Sequence, residues 1–186
     1  STLKLYKPAG SNSQIALTYT GLGQLVTSAA DSGSETWFFY GLPTSAGGNY
    51  SIPTGTATYT GAVFGTATPN IAGQSMGSLS GPANLSVNFG TNSFTGSMAP
   101  LITLYSNGST VNPGSYAFTN GVIGQAGFPG SLSAGITGPG NDTGGLYGLF
   151  FGNLATEFGA TFKVDTFATP SAVEYALTGA IVGKKN

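Results

Sequence analysis

A glycine or a proline interrupts this 186-residue chain every several residues, 31 glycines and 10 prolines in all. That spacing limits the fold more than any other feature. A helix has to carry its hydrogen-bond ladder through many consecutive residues, and an interior glycine costs about 1 kcal/mol, a proline about 3. No long stretch between the breaks shows a 3.6-residue period. The intervening runs are rich in Val, Ile, Thr, Tyr and Phe, and are bounded by Gly, Asn, Ser and Pro, which is the pattern of short strands joined by turns. The chain is predicted to be all-β.

Two strands are expected in an N-terminal section, over 14–20 and 36–41, with a small, polar loop over 28–34 and a turn-rich connector over 43–53. About eight more follow, over 56–64, 83–89, 93–103, 115–123, 131–137, 145–151, 158–166 and 173–182. Several alternate with period two: Leu85, Val87 and Phe89 on one face with Ser86 and Asn88 opposite; Leu132, Ala134 and Ile136; Phe158, Ala160, Phe162 and Val164. Such alternation sets one face against a core and the other in water. Gly90-Thr91-Asn92 reads as a tight hairpin turn. About eight strands with short turns suit a closed antiparallel up-and-down barrel, which leaves no open edge and is filled by its own side chains or holds one small ligand. The expected division is a β extension over 1–54 packed on a barrel over 55–186.

Charge narrows the function. Only 6% of residues are charged, against about 25% in an average domain. No charged side chain occurs from Thr36 to Asn141, and Ser, Thr and Asn carry the polarity there. With 40% hydrophobic residues a packed core is still expected rather than disorder. A net charge of −1 gives no field for nucleic acid or an anionic membrane, and no cations lie between the aromatics as they do in single-strand binders. No apolar run reaches the ~20 residues of a membrane helix. Outward Thr, Ser and Gly break the apolar band that an outer-membrane barrel needs. The chain starts at Ser1, so a processed or trimmed N-terminus is expected.

The inventory also restricts chemistry. Without His or Cys there is no Ser–His–Asp or Cys–His machinery and no zinc site built on those ligands. Haem ligation is left only to Tyr, and without Arg there is no bidentate anion clamp. Six acids are present, Asp31, Glu35, Asp142, Glu157, Asp165 and Glu174. A glycosidase would need two of them converging in a cleft at roughly 5–10 Å, whereas loop and strand-end acids are ordinarily solvated. The glycine-rich run 138–145 lacks a P-loop lysine and reads as a flexible surface loop, with a weak Ca²⁺ possibility at Asp142. No catalysis and no cofactor are expected.

One stretch is more specific. In residues 145–162, an aromatic-glycine strand is followed by Gly152, Ala155 and Glu157 in a short turn, then Gly159 and Phe162 opening the next strand. This resembles the signature of the barrel domain of transferrin-binding protein B and its relatives, with Gly159-Ala160 in place of the usual Gly-Gly. The closing run 177–185 and the segments around Tyr59-Thr60-Gly61, Leu85–Gly90 and Phe94-Thr95-Gly96 resemble that family's last and opening strands. The likeness covers roughly 55–186, and Glu157 is expected to cap or hydrogen-bond its turn. The resemblance implies a Gram-negative lipoprotein or secreted protein at the cell surface that binds a host protein, often beside a TonB-dependent receptor. The lipid-bearing Cys of that family is missing from this chain.

The residues expected to meet a partner are exposed aromatics outside the core: Trp37, Phe38, Phe39 and Tyr40 in succession, with Tyr50 and Phe128 in loops. In a strand two of the four point to each side, so one pair is expected to pack on the barrel and the other to be available. Burial of all four is the bland alternative. The competing functions are a structural or colonisation protein of adhesin type and a periplasmic small-ligand barrel.

Overall fold

The computed structural model describes residues 1–6, 15–27, 34–44, 53–124, 130–169 and 172–186. In chain order the strands are β1 (Thr2–Tyr6), β2 (Thr20–Val26), β3 (Glu35–Gly41), β4 (Thr56–Pro69), β5 (Gly77–Asn88), β6 (Ser93–Met98), β7 (Leu101–Leu104), β8 (Thr110–Val111), β9 (Tyr116–Ile123), β10 (Ser131–Thr137), β11 (Thr143–Phe151), β12 (Glu157–Thr169) and β13 (Ala172–Lys185). A 3-10 turn over Asn153–Ala155 joins β11 to β12.

Eight strands close a barrel. Each pairs antiparallel with the next, in the order β4-β5-β6-β9-β10-β11-β12-β13, and β13 returns to β4. Closure leaves no barrel edge open to another chain. The inward faces are the alternating ones: Leu85, Val87 and Phe89; Leu132, Ala134 and Ile136; Phe158, Ala160, Phe162 and Val164 are all buried. Large side chains fill the lumen, among them Tyr59, Met98, Tyr116, Phe150 and Phe158. Tyr59 contacts Phe150 and Phe158 with centroids 5.5 and 5.8 Å apart. The hairpin after Asn88 turns through Gly90-Thr91-Asn92 as expected. The Asn88 Oδ1 accepts from the N–H groups of Gly90 and Thr91, and Asn92 takes φ 51°, a left-handed conformation Asn tolerates well.

Strands β1, β2 and β3 form a separate antiparallel sheet. It packs on the outer wall of the barrel over β4, β12 and β13. There the alternation stops: β13 buries Ile181 inward and Ala180 and Val182 outward, and β4 is buried at nearly every position from Gly61 to Ala67.

Two expectations are corrected. Of the segment 14–20, residues 15–19 are not strand, and β2 begins only at Thr20, because the amides of Thr18 and Tyr19 are bonded to a side chain rather than to a ladder. The expected strand over 93–103 is two, β6 and β7, separated at Ala99-Pro100. Proline has no N–H to continue the ladder; both pieces stay on β5, Ala83–Asn88 with β6 and Gly77–Ser80 with β7, but the neighbour on the other side changes from β9 to β8. Strand β1 was not foreseen.

Candidate functional site

The four successive aromatics fall on β3, and the pleat sends alternate side chains to opposite faces. Trp37 and Phe39 face the barrel. Trp37 stacks on Phe64 (centroids 6.3 Å apart, 24° between planes) and donates its Nε1–H to Thr66 Oγ1 at 3.1 Å. Phe39 meets Phe151 edge-on at 5.7 Å and lies directly over Gly159, where a Cβ would come 2.8 Å from its ring. Around them Leu22, Ala180 and Val182 form a second buried cluster with Ile15, Leu17 and Phe64.

Phe38 and Tyr40 face away from the barrel. Register places Phe38 opposite Gly23 and Tyr40 opposite Gly21. A Cβ at either glycine would run into the ring that covers it. The two rings lie 6.4 Å apart, and the Tyr40 hydroxyl donates to the Tyr6 carbonyl at 3.1 Å. Leu5 is also opposite Gly23, and Leu3 pairs with Leu25. These three leucines are 50%, 57% and 36% exposed. Leu3, Leu5, Leu25, Thr36, Phe38 and Tyr40 thus share one outer face, and these described residues bring no charged side chain to it. Phe38 and Tyr40 are among the four aromatics that the sequence offers as partner candidates, whereas the leucines were not among them. The alternation of Leu3 and Leu5, and of Gly21 and Gly23, was their signal, too short to stand alone. Tyr50 and Phe128 lie outside the described residues.

The face is held by the turn motif of residues 152–157. Glu157 is 4% exposed. Its carboxylate accepts three backbone N–H bonds, from Thr18 (2.6 Å), Tyr19 (2.8 Å) and Thr20 (2.8 Å). It therefore ties the N-terminal segment to the barrel instead of capping its own turn. Gly152 has φ 73°, and a side chain there would strike the Tyr19 ring. Ala155, at φ 52°, turns its carbonyl inward to accept the Tyr59 hydroxyl at 2.6 Å. Burial pushes the Tyr59 hydroxyl pKa up, which keeps it a donor. A second tie is Glu35, which accepts from Thr66 Oγ1 (2.6 Å), Gln24 Nε2 (3.2 Å) and the Tyr105 hydroxyl (3.2 Å). Tyr105 is pushed up to about 12, first by burial and then by the Glu35 charge.

Of the remaining acids, Asp31 lies outside the described residues. Asp142 is 5% exposed, and it accepts the Tyr116 hydroxyl at 3.1 Å and the Phe167 N–H at 2.8 Å. The run 138–145 is thus anchored, not a free surface loop: Asp142 closes a tight turn, its N–H donating to Pro139 O at 3.2 Å. Asp165 lies within β12 and pairs with Lys163 on the surface at 3.3 Å. Asp142 and Glu174 line a cleft of about 250 Å³ at one end of the barrel. Among the described residues no three metal-ligating side chains gather. No described helix is long and apolar enough to cross a membrane.

Comparison with known proteins agrees with this geometry. Two mutant structures of the vaccine antigen transferrin-binding protein B from Haemophilus parasuis Hp5 superpose with TM-scores of 0.58 and 0.60 at 17% and 16% identity; each covers 91% of this chain, and the chain spans 32% and 34% of theirs. Isotype 1 transferrin-binding protein B from serogroup B Neisseria meningitidis superposes at 0.54 with 17% identity, over 91% of this chain and 32% of its own. At these identities the likeness is one of fold, and the chain spans about a third of each. No curated protein matches the chain significantly. The profile for the C-lobe and N-lobe β-barrels of transferrin-binding protein B matches residues 52–185, the barrel from its first strand to its last. The chain therefore belongs to the family of the transferrin-binding protein B β-barrels.

Proposed function

We propose that this chain is a non-enzymatic binding module, displayed on the surface of a Gram-negative cell or released from it, that engages a host protein or a neighbouring TonB-dependent receptor. The observation that carries this reading is the apolar patch that the described residues form on the outer face of the N-terminal sheet. Phe38 and Tyr40 stand there as rigid aromatics over two glycines, ringed by exposed Leu3, Leu5 and Leu25. Aromatic anchors in an apolar patch are what protein interfaces concentrate at their centres. The lumen is occupied by large side chains, and four of the acids are engaged in bonds that support structure. Catalysis would have to be built on what little remains.

Transferrin is the first partner to test, since the solved relatives are named for binding it. Surface plasmon resonance of the immobilised chain against iron-loaded and iron-free transferrin reads affinity directly. Saturable binding that falls at least ten-fold in a Phe38→Ser/Tyr40→Ser variant supports the reading. Binding that the variant leaves unchanged removes this face from the interface. Concentration-dependent self-association, lost in the same variant, would favour the colonisation reading instead. Protease shaving of intact producer cells tests surface display.

A further inference from the structure

One end of the barrel holds a cleft that the N-terminal face does not involve. Because β5 gives one half to β6 and the other to β7, the β7–β8 hairpin diverges from β9 and opens a gap. The gap, about 250 Å³, is lined by Ile102, Val111, Phe167 and Tyr175, with Asp142 and Glu174 beside them. Drug-sized ligands occupy roughly 300–1,000 Å³, so this space suits a group no larger than one long side chain.

The charges say which kind. Asp142 is nine-tenths buried, and both its partners, a tyrosine O–H and a backbone N–H, are neutral donors. They fix the carboxylate without cancelling its charge. A carboxylate has about four lone-pair sites, so Asp142 keeps acceptor capacity. Glu174 adds a second negative charge to the lining, and none of the described residues lining the cleft is a lysine. Among the described residues the ion pair present is Lys163–Asp165, elsewhere on the barrel. A buried carboxylate without a cation is costly, and an opening onto it lets a cation from outside supply the compensation.

We propose that this cleft binds a protonated amine or guanidinium on a short apolar stem. The cation lies at Asp142 and Glu174, and the stem lies against Ile102, Val111 and Phe167. The group is either a free small amine or the side chain of a basic residue on another protein. The test is amide NMR of the whole chain titrated with n-butylamine hydrochloride at constant ionic strength, with n-butanol as the neutral control. Saturable shifts of the Phe167 and Tyr175 amides with the amine but not the alcohol are expected. Glu174→Gln should weaken them roughly two- to five-fold, the weight of one partly exposed charge pair. Val111→Trp, at a half-exposed wall position, should fill the cleft and abolish them while the rest of the spectrum is kept. Equal shifts from butanol, no saturation, or unaltered binding in both variants would overturn the proposal. A capped Gly-Lys-Gly peptide that binds more tightly than butylamine assigns the natural group to a protein side chain. Tighter binding of the free amine assigns it to a small cation.

Discussion

Removing the Glu157 carboxylate should separate the N-terminal sheet from the barrel without dissolving the barrel itself. Glu157→Ala deletes the acceptor of three N–H groups at once, at 2.6–2.8 Å. A buried donor left unsatisfied costs about 1–3 kcal/mol. The Thr20 amide is buried, whereas those of Thr18 and Tyr19 are half-buried, so water can replace part of their bonding. The expected loss is therefore about 3 kcal/mol rather than three full penalties, or about 6–12 °C in Tm for a chain of this length. Glu157→Gln keeps one acceptor oxygen but points an NH₂ at the other donors, and it should lose most of the same amount. The discriminating assay is hydrogen exchange. In both variants the amides of Thr18, Tyr19 and Thr20 should lose protection, and those of β2 and β3 should follow, while β4, β5 and β9 to β11 remain as slow as in the parent. Unchanged protection at 18–20 with a Tm within 2 °C would mean that apolar packing of Trp37 and Phe39 alone holds the sheet, and the reasoning would be wrong.

Three further outcomes follow from the same structure. Gly159→Val should undock the sheet in the same way, since even the first carbon of a side chain would lie 2.8 Å from the Phe39 ring and 2.9 Å from its Cβ; near-UV circular dichroism should show Phe39 and Trp37 losing their fixed environment. Leu85→Asp, at a position 2% exposed, puts an unpaired charge in the lumen and should abolish cooperative melting. Alkaline stability should report Tyr105: its hydroxyl ionises near 10 when unfolded and at about 12 when folded. The stabilisation is complete below pH 10 and is lost as the pH rises toward 12, because the unfolded chain releases a proton that the folded one keeps. Urea titrations at pH 9, 10.5 and 11.5 should show a shallower decline for Tyr105→Phe.

The sequence by itself determined the barrel. Period-two alternation in Leu85–Phe89, Leu132–Ile136 and Phe158–Val164 is a local consequence of the pleat, and glycine and proline spacing marks the turns, so both survive in a one-dimensional reading. It also placed two pairs of aromatics on opposite sides of one strand, because that too follows from the pleat. Which pair faces the barrel was decided only when the sheet docked. Trp37 and Phe39 turn inward because Phe64 and Phe151 offer apolar surface and Gly159 leaves room for a ring. The role of Glu157 was equally out of reach: its three partners lie 137 to 139 residues away, and nothing near Glu157 in the chain signals them. Doubly apolar stretches such as Ala180-Ile181-Val182 did carry a trace of the docked sheet, since a barrel wall covered on both sides loses its alternation. Where long-range contacts override the local period, the tertiary structure decides, because burial is then set by what packs on the strand and not by the strand's own geometry.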